Sequence, residues 1–103
     1  MTRIRFVFRG GEPVGFTMRG HAGDRADAEN DVVCAAISSA VYLTANTVTD
    51  VIFDEADITV ADGAFEFLLK DGHKKASVDM LRGLALHLEG LQAQYPDKLT
   101  IQK

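Results

Sequence analysis

At 103 residues the chain is long enough for one domain around one hydrophobic core and too short for two. A hydrophobic share of 47% and a charged share of 25% are those of an ordinary soluble globular protein, and apolar residues recur from end to end, which excludes a long disordered tract. The formal net charge of −4 argues against direct nucleic-acid binding, because phosphate recognition needs clustered Lys and Arg.

The first eight-residue run, Thr2 to Arg9, alternates. Ile4, Phe6 and Phe8 fall on one face and Arg3, Arg5, Val7 and Arg9 on the other, the period of a half-buried strand. The opening residues have no apolar core of the kind a signal peptide needs, so none is expected. Gly10-Gly11 reads as a turn, after which Val14, Phe16 and Met18 restart the alternation and complete a hairpin.

Gly20-His21-Ala22-Gly23 breaks this pattern, and polar residues continue from Asp24 to Asn30 as a loop. Asn30 or Asp31 is a good N-cap for a helix whose apolar positions are Val33, Ile37, Ala40, Val41, Thr44, Val48 and Val51. Val32, Ala36 and Leu43 add a second stripe, which predicts a central helix covered on several sides. Between Val32 and Ile52 lie Cys34, Ser38, Ser39, Thr44, Asn46, Thr47, Thr49 and Asp50, too many polar groups for a lipid-facing span, so no membrane partner is expected.

Ala56–Val60 and Ala64–Leu69 flank Asp62-Gly63, a strong hairpin signal. A second helix is predicted from about His73 to Gln94 on the spacing of Val78, Leu81, Leu84, Leu88 and Leu91. Tyr95-Pro96-Asp97 ends it, and Leu99-Thr100-Ile101 supplies a short last strand. The predicted fold is therefore α+β, a single domain over residues 1–103 in the order ββαββαβ. Its simplest form is a mostly antiparallel sheet of four to five strands with two helices on one face.

Charge is unevenly placed along these elements. Arg3, Arg5, Arg9, Arg19 and Arg25 make the first quarter basic, whereas Ala26 to Leu69 contains no Lys or Arg and nine acidic residues. Such a stretch forms either ordinary solvated faces or the negative rim of a surface that binds a basic peptide.

Cys34 is the one cysteine, so an internal disulfide is impossible and a reducing cytoplasm is the simplest setting. The predicted caps put it in the first helical turn, where the dipole favours a thiolate and unpaired amides can face an oxyanion. A small core residue is the plainer role for a cysteine among Val and Ala. His21 sits in a Gly-flanked loop directly after a strand, and the intervening segment can return it to the sulfur, which would make a Cys–His pair suited to thiol proteolysis. His73 and His87 have no metal-ligand spacing, and no glycine-rich loop has the phosphate-cradling pattern, so neither metal nor cofactor is expected.

Gly20-His21-Ala22-Gly23 together with Asp31-Val32-Val33-Cys34-Ala35-Ala36-Ile37-Ser38 resembles the signature of the ribosomal-processing cysteine protease Prp family, and the resemblance runs over essentially the whole chain. It implies a cysteine endopeptidase that removes a short N-terminal extension from a large-subunit ribosomal protein, a homodimer, and catalytic roles for His21 and Cys34. Gly20 and Asp31 match supporting positions; Asp31 either caps the helix or orients His21. Ser38, one turn beyond Cys34, either donates to the substrate or bonds a backbone carbonyl. Asp27-Ala28-Glu29-Asn30 stands where the family usually has a glycine, in a loop one residue longer than is typical, a change that bears on substrate preference. Two other functions are compatible with the residues alone: a ribosome-associated binding module in which Cys34 only packs, and a thiol redox sensor.

Overall fold

The computed structural model describes residues 1–20 and 28–103. Its elements follow the predicted order: β1 (Thr2–Arg9), β2 (Glu12–Arg19), α1 (Ala28–Asp50), β3 (Ala56–Ala61), β4 (Ala64–Leu69), α2 (Lys75–Gln94) and β5 (Leu99–Gln102). The five strands form one sheet in the order β3-β4-β2-β1-β5. Every pairing is antiparallel except β1 with β5, which run parallel and make the sheet mixed.

The β1–β2 turn follows from its glycines. Gly10 and Gly11 have φ of 60° and 80°, and a two-residue hairpin loop of type I′ needs positive φ at both. Further along, Val7 pairs with Gly15 but Phe8 pairs with Pro13, so Val14 is an extra residue in β2. This bulge lets a proline, which has no N–H to give, sit at the end of an inner strand beyond the reach of β4.

Alternation sorts the sheet into two faces. Ile4, Phe6, Phe16, Phe65, Phe67 and Leu69 point to one side and join Val33, Ile37, Val41 and Val48 of α1 and Val78, Leu81, Leu84 and Leu88 of α2 in a single core. Phe16 is its centre, stacked on Phe67 at 5.4 Å and Phe65 at 5.8 Å between ring centroids, with Phe6 tilted against it at 6.1 Å. The other face carries Arg3, Arg5, Thr17, Arg19, Glu66 and Asp57 and is covered by neither helix.

Two expectations about α1 are corrected. The helix spans Ala28–Asp50, so Asn30 and Asp31 lie within its first turn and do not cap it. Asn30 is buried there because Lys98 Nζ donates to its Oδ1, with Glu29 completing an ion pair to Lys98 at 3.6 Å. The second apolar stripe is also not covered within the protomer, with Val32 58% and Leu43 62% exposed. By length and hydropathy α1 could cross a membrane, but its face from Val33 to Val48 packs into the core.

The second helix starts at Lys75, two residues later than the sequence predicts, and its start is held from another part of the chain. Phe53, at φ 59°, turns the chain after α1 so that Asp54 reaches the helix start. Asp54 Oδ2 accepts from the Lys74 N–H and from the Ser77 hydroxyl, both at 2.7 Å. Burial opposes the charge on Asp54, but these bonds, the Glu55 N–H and the Lys74 ammonium outweigh it and hold the carboxyl below its usual range.

Candidate active site

Cys34 is half-buried on α1, seven residues into the helix, and therefore belongs to its second turn. This corrects the first-turn placement: at that depth its own N–H falls in the regular i to i−4 helical ladder, so it is not one of the unpaired first-turn donors. The sulfur borders a cleft of about 150 Å3 between α1, the end of β2 and the β3–β4 hairpin.

One wall of that cleft is a row on α1, with Cys34, Ser38 and Tyr42 spaced four apart so that they stack along the same side of the helix. Ile37 closes its floor from the core side. Ser38 is half-buried and has no hydrogen-bond partner among the described residues. Thr44 and Thr49 differ, because their hydroxyls donate to the Ala40 and Ala45 carbonyls of their own helix. The second Ser38 role considered above, bonding a helix carbonyl, is therefore not the one observed.

The opposite wall comes from Met18 and Gly20 of the β2 end, Val60 and Ala61 of β3, and Gly63 to Phe65 around the hairpin turn. Gly20 has φ 87°, and a Cβ there would stand 2.7 Å from the Met1 carbonyl oxygen, so glycine alone fits both the backbone and the space. Its N–H donates to the Gly63 carbonyl at 2.8 Å, tying the strand end to the β3–β4 turn. Tyr42 packs edge-on against Phe65 at 5.4 Å and braces the far end.

The structure thus brings Cys34, Ser38 and Gly20 to one cleft. Asp31 is exposed and is not among the described residues that line it. His21 lies outside the described residues, directly after Gly20. Among the described residues no three His, Cys, Asp or Glu side chains come together as a metal site. Sequence reasoning missed Tyr42 and the hairpin wall. The four-residue spacing of Cys34, Ser38 and Tyr42 was a readable signal, whereas the arrival of β3–β4 depends on sheet order.

The sequence profile of the cysteine protease Prp family matches residues 1–100. The chain belongs to that family and is a cysteine protease. The Prp fold is shared closely with solved structures. The ribosomal-processing protease Prp from S. aureus, bound to a covalently linked product peptide, is 22% identical with a TM-score of 0.87 over 99% of this chain and 98% of that one. The same protease with a substrate peptide gives 19% identity and 0.87 over the same shares. SMU.848 from Streptococcus mutans is 19% identical, with a TM-score of 0.86 over 99% of this chain and 92% of that one. No curated protein sequence matches.

Proposed function

We propose that this Prp-family protease removes the N-terminal extension of a large-subunit ribosomal protein in the cytoplasm, with Cys34 as nucleophile and His21 as its base. The observation that carries the reading is the position of Cys34 at a cleft walled by a second polypeptide segment, in a chain of this family. The S. aureus relative, with its ribosomal-processing role and bound peptides, supports the choice of substrate. The acidic residue Asp62, in the β3–β4 turn between the cleft-lining Ala61 and Gly63, suits a basic ribosomal-protein tail.

In this mechanism His21 takes the proton from the Cys34 thiol, and the sulfur attacks the scissile carbonyl carbon. The C–N bond breaks as His21 returns the proton to the leaving amine, and water hydrolyses the thioester to release the acyl half. The Cys34 amide belongs to the helix interior, so the Ser38 hydroxyl is the α1 group proposed to donate to the tetrahedral oxyanion. Gly20 sets the direction in which the chain leaves β2 towards His21.

The test is co-expression with the extended ribosomal protein, read by intact mass. Cys34→Ala and His21→Ala should leave the extension uncut, and Ser38→Ala should slow its removal by about a hundredfold if it is the oxyanion donor. Cutting at the parent rate by either of the first two variants would overturn the assignment. The exposed Val32, Leu43 and Val51 support a homodimer formed through α1. Sedimentation as a monomer at micromolar concentration would count against it.

A further inference from the structure

The sheet face turned away from the helices holds a feature that net charge conceals. In the β1–β2 register Arg3 stands directly opposite Arg19, and Arg5 opposite Thr17. Arg3 and Arg5 lie two residues apart on one strand and so share a face, roughly 7 Å apart along it. On the other side of β1 the parallel pairing sets Thr100 beside Arg3 and Gln102 beside Arg5. Three arginines and three uncharged hydrogen-bonding side chains therefore form one continuous patch across β2, β1 and β5.

Folding does not account for this arrangement. Like charges directly opposite each other on a sheet are destabilising. Arg19 is paired with Glu66, but Arg3 and Arg5 have no carboxylate within ion-pair distance among the described residues. Between Arg5, Thr17 and Arg19 lies an open trough of about 500 Å3, floored by β1 and β2. Glu66 stands opposite Thr17 and pairs with Arg19 at the β4 margin of the patch, and Asp57 lies beyond it on β3, so the carboxylates of this face sit on the β4 side and leave Arg3 and Arg5 on the β5 side.

We propose that this open face binds the phosphate backbone of RNA through Arg3, Arg5 and Arg19. Three observations favour that occupant. All three cations are arginine, whose planar fork holds phosphate through paired hydrogen bonds, while each lysine of the chain lies elsewhere, from Lys70 onward. The exposed apolar side chains near the trough, Val7 and Phe8, sit at one end of it, and its middle is lined by Arg5, Thr17 and Arg19, a polar centre unlike the apolar core of a stable protein interface. Arg3, Arg5 and Arg19 outnumber Glu66 and Asp57 on this face, so it is locally positive in a chain whose net charge is −4. The ribosomal-substrate reading decides only the choice of RNA over DNA, because a ribosomal protein in an assembling particle lies among RNA phosphates. Bound there, RNA leaves the Cys34 cleft on the opposite side of the sheet accessible.

The test uses fluorescence anisotropy with a labelled 20-nucleotide single-stranded RNA, its RNA duplex and the matching DNA, across a salt series. Wild type should bind RNA, and the Arg3→Gln/Arg5→Gln double variant should lose affinity about tenfold or more, its salt slope falling by about one for each phosphate contact removed. Lys75→Gln/Arg82→Gln, which makes the same change in net charge on α2, should bind as wild type. Equal loss in the two double variants, no RNA binding by wild type, or tighter binding of DNA than of RNA would each overturn the proposal. Cleavage of the extended ribosomal protein by Arg3→Gln/Arg5→Gln should stay at the parent rate, and Cys34→Ala should still bind RNA. Loss of RNA binding with cleavage intact then separates failure of this surface from failure of the protease assignment.

Discussion

On the covered face of the sheet, Ile4, Phe6, Phe16, Phe65, Phe67 and Leu69 are each no more than 3% exposed, while their strand neighbours Arg3, Arg5, Arg19 and Asp57 on the other face meet water. Neighbours one residue apart thus serve different ends. The covered side supplies the stability, at about 1.5–3 kcal/mol for each large apolar side chain buried. The open side is nearly unconstrained by packing and can hold charges that folding disfavours. The cleft belongs to neither regime. It lies where the helical cover gives out, at β3, whose Ile58 and Val60 share register with Phe67 and Phe65 yet remain 40% and 57% exposed. Cys34 thus sits at the margin of the core, half-buried and still bordering an open cleft.

The sharpest way to break this contrast is to change adjacent residues on β2. Phe16→Ala removes a ring fully enclosed by three other aromatic rings and should destabilise the fold by about 3–5 kcal/mol. Thr17→Ala, one residue along and facing outward, should stay within about 0.5 kcal/mol of wild type. Urea unfolding followed by far-UV circular dichroism measures both. Comparable midpoints for the two variants would show that the open face carries stability after all.

Gly15→Ala sharpens the comparison from the other direction. Gly15 shares the outward face with Thr17, but a Cβ there would lie 2.3 Å from the Phe67 carbonyl oxygen and 3.1 Å from Leu68. The nearest obstacle is backbone in the paired strand, so β2 and β4 must move apart locally at the bulge. A loss of about 1–3 kcal/mol is expected, well above that of Thr17→Ala. Loss below 0.5 kcal/mol would mean that the strands separate there at little cost.

Much of this layout was legible in the residues, for reasons that also mark where legibility stopped. Strand alternation in β1 and β2, the Gly10-Gly11 and Asp62-Gly63 turns and the Leu spacing of α2 are local patterns, and local patterns carried the element order. The motif around Cys34 was equally local and led to the correct family. The start of α1 was not. Asn30 is a favoured cap, but its partner Lys98 is 68 positions away and holds it inside the helix instead. With α1 beginning at Ala28, Cys34 falls in the second turn and not the first. The cleft wall from Val60 to Phe65 was hidden for the same reason, since only the sheet order β3-β4-β2 brings that hairpin beside Gly20.

The cover itself depends on a long-range contact of the same kind, and its strength can be measured. The start of α2 has no capping side chain of its own, and Asp54 takes that part from 20 residues upstream of Lys74. Asp54→Ala should cost about 1 kcal/mol at pH 7, the usual worth of an N-terminal cap. Because the folded-state carboxyl titrates below its ordinary value, its contribution is complete above the ordinary range near ~3.9 and disappears as pH falls through the depressed folded value. The gap in stability between wild type and Asp54→Ala should therefore be full at pH 7 and shrink below pH ~4 as the carboxyl is protonated in both folded and unfolded chains. Asp54→Asn, which keeps an acceptor but no charge, should lack the charge-linked part of this stability at pH 7 and show no such acid dependence. Paired urea melts across that range decide the point, and a gap that persists undiminished in acid would show that Asp54 holds α2 by shape and not by its charge.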